Sequence, residues 1–246
     1  MKTIQVHLGK RSYPIHVKSG LLKDVPELLA EANHGQKWII ITQHGLMELF
    51  GFELMSNLKE KNFNTDYITL PVGEAAKSMK EFSNVISQLT ELGCDRTTTV
   101  LALGGGVVGD IAGFAASTFM RGIGYLQIPT TLLAMVDSSI GGKTGINSSK
   151  GKNLIGSFYQ PKLVITELGF LKSLSKRNLV CGFAEILKHS LILNKKFFLW
   201  LTKNAKKIIN YKNKRLLKIA IKESCRIKAK IVSKDEKESD LRKVLN

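Results

Sequence analysis

The segment TTTVLALGGGVVGDIAGFAAS, residues 97–117, restricts the possible folds of this chain more than any other. A strand of the buried type runs directly into glycines with the spacing G-x-G-x-x-G, and an apolar helix follows. Glycines at these positions allow a tight turn and let the backbone approach a pyrophosphate at the positive end of the helix. The pattern favours a dinucleotide-binding unit, with a plain tight turn as the alternative. The acidic ribose partner expected about 20 residues further on is missing, because that region reads YLQIPTT.

Strand and helix patterns alternate around this turn. Strands are predicted in five apolar segments: KWIIIT at 37–42, YITLP at 67–71, TTTVLAL at 97–103, YLQIP at 125–129 and KLVIT at 162–166. A glycine-rich, loop-like segment separates the last two. Apolar strands that alternate with helices are typical of a parallel sheet covered on both faces. We therefore predict an α/β, Rossmann-like domain over residues 1–171.

The rest of the chain, residues 172–246, has helical patterns and is strongly basic, which predicts a second, all-helical domain. It carries 21 Lys and Arg against 6 Asp and Glu, whereas residues 1–171 carry 16 against 14. Clustered cations can bind nucleic acid by releasing phosphate counterions. However, Lys outnumbers Arg 30 to 7, and no nucleic-acid motif accompanies the charge. We expect a solvated lysine-rich face and no nucleic-acid partner.

Composition favours a cytoplasmic protein. Cys94, Cys181 and Cys225 are odd in number and lack CxxC spacing, which argues against disulfides and a cysteine zinc site. No apolar run approaches the ~20 residues of a membrane span, so we expect no membrane partner. The N-terminus alternates polar and apolar residues like a strand and carries no export pattern.

Two short motifs offer candidate binding residues. In PVGEAAKSM, residues 71–79, Glu74 and Lys77 begin a helix, and the carboxylate could accept ribose hydroxyls; the alternative is an i,i+3 ion pair. In DSSIGGKTG, residues 137–145, GGKT resembles the end of a phosphate-binding P-loop. A P-loop needs glycine where Asp137 stands, so either the loop binds something else or Lys143 acts alone.

Charged and polar residues gather between the last two predicted strands. They are Arg121, Thr130, Thr131, Asp137, Lys143, Lys152 and Asn153. Loops of this kind commonly carry sites, and the cations suit a small anionic substrate. Solvated loop charges are the alternative.

Two helices contain residues that are unusual for their positions. Over 216–232, Lys228 lies within the apolar half of the helical wheel, where it either snorkels or meets an anion. In GFAEILKHS, residues 182–190, Glu185 either pairs with Lys188 beside an exposed His189 or acts as a metal ligand. A lone carboxylate would need further ligands to hold zinc.

Several blocks together closely resemble the 3-dehydroquinate synthase family, in its order and spacing and over the full length. They are PxGExxK, LALGGGVVGDIAGFAASTFMRG, IPTTLLAMVDSSIGGKTGIN, GKNLIGSFYQP, GFAEILKH and CRIKAKIVSKDE. The resemblance implies a lyase of the shikimate pathway that converts 3-deoxy-D-arabino-heptulosonate 7-phosphate to 3-dehydroquinate and phosphate. It also implies bound NAD and a divalent metal, zinc or cobalt. Another sugar phosphate cyclase and an inactive NAD-binding remnant are the alternatives.

The resemblance also implies roles for individual residues. The NAD contacts would be Val72, Gly73, Glu74, Ala75, Ala76, Lys77, Gly105, Gly106, Val107, Val108, Gly109, Asp110, Thr130, Thr131, Lys143 and Lys152, with Phe170, Leu171, Lys172 and Ser173 closing over the cofactor. Catalytic and substrate residues would be Asp137, Lys143, Lys188, Lys228, Glu238, Arg242 and Asn246. Arg121, Lys152 and Asn153 would hold the substrate phosphate, the arginine across a homodimer interface, and Glu185 would be a metal ligand. Val72 stands where the family commonly has Asp.

The resemblance implies a further C-terminal stretch, G-H-x-x-x-H, and a later histidine, which supply two metal ligands. The chain stops at Asn246. We therefore expect residues 172–246 to be the first part of a helical metal- and substrate-binding domain in a truncated chain. Without these histidines, we expect zinc affinity and turnover to fall sharply.

Overall fold

A seven-stranded sheet forms the centre of the α/β part of the protein. The fold is that of a computed structural model in which residues 3–32, 37–211 and 213–245 are described. The strands of this sheet are β1 (Ile4–Val6), β2 (Tyr13–Lys18), β3 (Lys37–Gln43), β4 (Asn64–Leu70), β5 (Thr99–Gly104), β6 (Gly124–Pro129) and β9 (Val164–Glu167). Their order is β1-β2-β9-β6-β5-β3-β4, with β1 antiparallel to β2 and all other pairs parallel. The parallel α/β sheet predicted from the strand patterns is confirmed.

Both faces of the sheet are buried, which explains the continuous apolar strands. Along β3, Trp38 and Ile40 enter one hydrophobic cluster, whereas Ile39 and Ile41 enter the other. Successive side chains of a strand point to opposite faces, so a strand covered on both sides needs an apolar residue at every position. All six residues of β5 are buried for this reason.

Helices cover the sheet and make up the C-terminal part. In chain order they are α1 (Val25–Ala32), α2 (His44–Leu46), α3 (Phe52–Glu60), α4 (Met79–Glu91), α5 (Gly106–Thr118), α6 (Lys176–Leu193), α7 (Lys195–Ile209) and α8 (Lys214–Lys234). A helical turn at Met47–Gly51 joins α2 to α3. Short 3-10 helices lie at Leu168–Lys172 and Leu241–Leu245. Within the described residues, no helix has the length and apolar character that a membrane span requires.

The three C-terminal helices begin at capping side chains. The side-chain oxygens of Ser175, Asn194 and Asn213 accept hydrogen bonds from the backbone N–H groups three residues further on. Such caps satisfy N–H groups that lack a partner within the helix. One hydrophobic cluster contains residues of β1, β2, α6, α7 and α8 together. Since this core crosses residue 171, the division into domains 1–171 and 172–246 stays a prediction.

The segment predicted as a loop after β6 contains a β-hairpin. β7 (Lys143–Ser148) and β8 (Gly151–Phe158) pair antiparallel, with Gly145 opposite Gly156. A Cβ on either glycine would overlap the backbone of the facing strand. The loop prediction was wrong because small residues, which this close approach requires, lack the apolar alternation that predicts a strand.

Candidate functional site

The glycine-rich turn lies between β5 and α5, as the strand-turn-helix pattern predicts. β5 ends at Gly104 and α5 begins at Gly106, so the first N–H groups of the helix, which have no partner within it, lie at the turn. Thr130 N–H donates to the Gly104 carbonyl over 2.9 Å. A Cβ on Gly105 would come within 3.2 Å of the Thr131 side chain. The turn therefore packs tightly against the residues after β6, and it offers the backbone donors that a phosphate group takes.

A cleft of about 540 Å³ is lined by Glu74 and Lys77, and Lys77 connects it to Asp110 on α5, the helix that follows this turn. Asn147 donates to Glu74 over 2.9 Å, and Lys77 donates to Asp110 over 2.6 Å and to Asn153. The i,i+3 ion pair between Glu74 and Lys77, one of the two sequence interpretations, does not form, because Lys77 is 4% exposed and turns inward. Burial raises the pKa of Asp110 to about 6, although Lys77 opposes the shift.

A second cleft, of about 500 Å³, brings together residues from six segments of the chain. Its lining includes Asp110 on α5, Asp137, Lys143 on β7, Asn153 on β8, Lys228 on α8, and Glu238 and Arg242 in the C-terminal segment. Each of these residues is a candidate from the sequence patterns or from the family resemblance. The lining contains three cations and three carboxylates, so the cleft is polar and electrostatically balanced.

Asp137 and Lys228 form a partly buried ion pair in the lining of this cleft. The Lys228 ammonium donates to the carboxylate of Asp137 and, over 2.7 Å, to its backbone carbonyl. Burial alone would raise the pKa of Asp137, but Lys228 outweighs it and the pKa is lowered. Burial lowers the pKa of Lys228. Of the two interpretations of Lys228 from its helical position, the structure selects the one in which it meets an anion.

Arg242 fixes the loop before β7. It is 2% exposed, and its guanidinium donates to the carbonyls of Gly141, over 2.9 Å, and Glu236, over 2.5 Å. Gly141 has φ +101°, and a Cβ there would overlap Arg242. The guanidinium also lies 3.6 Å from the carboxylate of Glu238, which pairs with Lys143. One carboxylate therefore holds two of the cations in the cleft.

Asp235 and Tyr13 support these residues, and neither was predicted from the sequence. Asp235 accepts backbone hydrogen bonds from Ser239, Asp240 and Arg242 over 2.8–2.9 Å. These bonds hold its pKa well below the usual range. The Tyr13 hydroxyl accepts from Gly141 N–H over 3.0 Å. An Asp directly after a helical pattern is a signal for such a turn, whereas nothing local marks a tyrosine on a distant strand.

Glu185 lies close to Asp137 but is not part of the cleft lining. Its Oε1 is 2.8 Å from Lys188 Nζ and 3.1 Å from His189 Nε2, and one ligand atom from each of Asp137, Glu185 and His189 lies within 4.8 Å of the others. Burial would raise the pKa of Glu185, but contacts with His189 and Lys188 outweigh it and lower the pKa. Carboxylate oxygens such as those of Asp137 and Glu185 are zinc ligands, and Oε1 of Glu185 is buried without an aligned hydrogen bond. The residues present therefore fit a divalent cation.

The sequence alternative of an exposed His189 is wrong. The imidazole is fully buried because this face of α6 packs against α8, where Ser224 Oγ lies 2.7 Å from Nδ1. The i,i+3 pair between Glu185 and Lys188 is present. Lys188 also donates to the Leu245 carbonyl over 2.5 Å, so it reaches the C-terminal segment.

Other predicted residues lie apart from the two clefts. Arg121 and Lys152 are exposed and do not line either one, and Arg121 has the left-handed φ of 66°. Phe170 and Leu171 are 1% exposed, and the Phe170 ring lies 4.5 Å from that of Phe50. Their role in closing over a cofactor stays a prediction. Asn246 lies outside the described residues.

The fold first defines a class, that of the sugar phosphate cyclases. A 2-epi-5-epi-valiolone synthase from Streptomyces hygroscopicus, solved with NAD+ and Zn2+ bound, superposes with a TM-score of 0.86 at 29% identity, covering 95% of this chain and 64% of that one. A 2-deoxy-scyllo-inosose synthase complexed with carbaglucose-6-phosphate, NAD+ and Co2+ superposes with a TM-score of 0.88 at 26% identity. The match covers 99% of this chain and 66% of that one.

The sequence comparisons then identify the family. The model of the 3-dehydroquinate synthase N-terminal family matches residues 67–181, and that of the C-terminal family matches residues 182–246. The 3-dehydroquinate synthase of Thermodesulfovibrio yellowstonii is 46% identical over 246 residues, which cover all of this chain and 68% of the relative. The chain belongs to the 3-dehydroquinate synthase family. It spans 66–68% of the length of the curated relatives that it matches.

Proposed function

We propose that this chain carries the substrate- and cofactor-binding residues of a 3-dehydroquinate synthase, which forms 3-dehydroquinate and phosphate from 3-deoxy-D-arabino-heptulosonate 7-phosphate. One observation carries the proposal: seven residues from six separate segments converge on one cleft, and the family resemblance implied a role at the site for every one of them. Membership of the family, at 46% identity to a curated synthase, supports the same activity.

The cleft suits a small substrate that bears both a carboxylate and a phosphate. Lys143, Lys228 and Arg242 line it, and each is paired with Asp137 or Glu238. A dianionic substrate would replace Glu238 at Lys143 and Arg242, so binding exchanges one set of ion pairs for another. Charge-assisted hydrogen bonds of this kind orient a substrate strongly.

Asp137 is the carboxylate best placed to exchange protons with a substrate hydroxyl. Lys228 holds it ionised, and it lines the cleft. Lys143 and Arg242 would hold the anionic groups of the substrate in place while phosphate leaves. Proximity and fixed orientation of this kind supply much of the rate enhancement in enzymes.

The glycine-rich turn, with Glu74, Lys77 and Asp110 beside it, would hold NAD, and Glu185 would hold a divalent metal. Bound NAD would supply transient oxidation of a hydroxyl and its later reduction, and the metal would supply Lewis acidity. The solved cyclases that bind NAD+ with Zn2+ or Co2+ support both assignments. We further propose a cytoplasmic homodimer in which Arg121 and Lys152 contact the substrate phosphate.

Phosphate release from the heptulosonate phosphate, measured together with the NAD and zinc content of the purified chain, tests the proposal. Lys143→Ala should lower kcat/KM about 10- to 150-fold, as expected for loss of one charged hydrogen-bond partner. Lys150→Ala is the matched control, because Lys150 is an exposed lysine in the same hairpin, outside the lining of both clefts. Equal effects of the two variants would contradict the assignment of the cleft.

A chain that binds NAD but releases no phosphate would instead be an inactive NAD-binding module. Another sugar phosphate cyclase activity is the second enzymatic candidate, favoured only by the solved structures at 26–29% identity. A panel of heptulose and hexose phosphates decides between them. Release from a different sugar phosphate alone would overturn the dehydroquinate assignment.

A further inference from the structure

His189 and Ser224 form a buried polar pair between α6 and α8. Both side chains are fully buried, and Ser224 Oγ lies 2.7 Å from His189 Nδ1. Among the described residues, the Ser224 hydroxyl has no other hydrogen-bond partner. A buried hydroxyl that left its hydrogen unpaired would carry a free-energy cost. The Ser224 O–H therefore donates to Nδ1.

This direction of donation fixes the position of the ring proton. When Nδ1 of a neutral imidazole accepts a hydrogen bond, Nε2 carries the hydrogen. His189 Nε2 lies 3.1 Å from Glu185 Oε1, one helical turn earlier on α6. A carboxylate can only accept, so this contact attracts when Nε2 is protonated. Ser224, His189 and Glu185 thus form one consistent series of donors and acceptors.

The contact between His189 and Glu185 is close but not aligned for a hydrogen bond. The last torsion of a Glu side chain has a broad energy minimum, so a small rotation of the carboxylate aligns the two groups. The backbone fixes the i,i+4 spacing, and burial between α6 and α8 fixes the ring. The ring is the rigid partner, and the carboxylate adjusts to it.

We propose that His189 is a positioning residue: Ser224 holds its ring with the hydrogen on Nε2, and this N–H keeps the Glu185 carboxylate turned towards Asp137, where it would receive the divalent metal. The metal itself rests on the proposed function. Residues that orient a ligand in this way commonly change metal affinity 10- to 100-fold when they are removed.

The first test determines the ring tautomer in the metal-free chain. Long-range ¹H–¹⁵N correlation NMR on histidine-labelled protein at about pH 8, where an ordinary histidine is neutral, should show an unprotonated Nδ1 and a protonated Nε2. In Ser224→Ala, the Nδ1–H tautomer should gain population. A wild-type His189 with its hydrogen on Nδ1 would overturn the proposal, whether or not the chain binds a metal.

The second test measures the affinity for Co²⁺ alone by its visible absorption. Ser224→Ala and His189→Leu should each weaken binding about 10-fold or more, and Ser224→Ala should have no further effect in the His189→Leu background. His189→Gln, which returns an N–H donor near the position of Nε2, should restore most of the affinity. Ser233→Ala is the matched control on α8, because the Ser233 hydroxyl accepts from the backbone N–H of His7 over 2.9 Å and not from His189 or Glu185.

Other outcomes would contradict the proposal in distinguishable ways. If His189 were itself a ligand, His189→Gln would bind as poorly as His189→Leu, and Ser224→Ala would change little. If the pair only stabilised the helix contact, the variants would lower Tm and leave Co²⁺ affinity unchanged. If wild type bound no Co²⁺, the metal in the proposed function would fail, whereas the NMR test would still decide the tautomer.

Discussion

Lys228→Met is the substitution that tests the electrostatics of the cleft most directly. Met keeps most of the side-chain volume but removes the ammonium group that pairs with Asp137. The Lys228 side chain is 7% exposed. The variant therefore leaves a partly buried carboxylate without its main counter-charge. In wild type, Lys228 lowers the pKa of Asp137 against the effect of burial. In the variant, only the weaker charges of His189 and Lys188 oppose the effect of burial, so we expect the pKa of Asp137 to rise.

The size of the defect follows from this loss. Removing one partner of a buried ion pair costs about 3–5 kcal/mol. Asp137 keeps 32% of its side-chain surface exposed, so we expect the lower end, about 3 kcal/mol at pH 7. In a protein of this size, that corresponds to a fall in Tm of about 6–12 °C.

The defect should depend on pH with a definite sign. In wild type, the lowered pKa of Asp137 means that its ionised form stabilises the fold above its ordinary pKa, and this contribution is lost in acid. In Lys228→Met, the raised pKa makes ionised Asp137 destabilising. The defect should therefore shrink as the pH falls from 7 to 5 and the carboxylate takes up a proton.

Urea denaturation at pH 7 and pH 5, followed by tryptophan fluorescence, measures both quantities, since Trp38 is 1% exposed. Lys230→Met on the exposed face of α8 is the matched control and should be nearly neutral. Asp137→Asn in the Lys228→Met background should recover about half of the lost stability, because it removes the unpaired charge. A defect equal at both pH values and not relieved by Asp137→Asn would refute the reasoning.

Three further predictions concern the surroundings of the cleft. Gly141→Ala should lower the free energy of unfolding by about 1–3 kcal/mol, because residue 141 has a left-handed φ and its new Cβ would overlap Arg242. An unchanged Tm would contradict this prediction. Burial raises the pKa of Asp110 to about 6, so its ionisation opposes folding, and wild type should lose stability relative to Asp110→Asn as pH rises from about 4 to 7. At about 1.4 kcal/mol per pKa unit, the free energy of unfolding of wild type should fall by about 3 kcal/mol relative to that of the variant. Curves of unfolding free energy against pH that run parallel for the two proteins would contradict this prediction. Asp235→Ala should speed hydrogen exchange at the N–H groups of Ser239, Asp240 and Arg242 at neutral pH, since the lowered pKa keeps that carboxylate ionised; unchanged exchange at these three groups would argue against its role.

The sequence patterns predicted the parallel sheet and the glycine-rich turn because both depend on local composition. Five apolar segments correspond to β3, β4, β5, β6 and β9, with ends that differ by a few residues. β7 and β8 were predicted as a loop, since Gly145 and Gly156 pack backbone against backbone and remove the alternation of side chains. The prediction from local sequence pattern failed at this hairpin, because the close approach of the two strands requires glycine at these positions.

Residue types and helical position marked Asp137, Lys143 and Lys228 as candidates, whereas Arg242 followed only from the family resemblance. These patterns left Lys228 with two equal interpretations. The structure decides between them because α8 lies against residues 134–138, which brings the ammonium to Asp137. It also reverses the expectation for His189, which packing against α8 buries completely. Exposure of a helical side chain depends on its neighbouring helix, and no short motif specifies that neighbour.

Propensity, periodicity and motif spacing are properties of adjacent residues, so they were enough to predict the class of fold, the glycine turn and several of the chemical groups at the site. The pairing of the charges, the support of the loop by Asp235 and Tyr13, and the contact between Ser224 and His189 depend on tertiary packing. These contacts join residues far apart in the chain, such as Tyr13 with Gly141 and Glu185 with Asp137. Packing of the hydrophobic core that the sheet shares with α6 and α8 sets such distances.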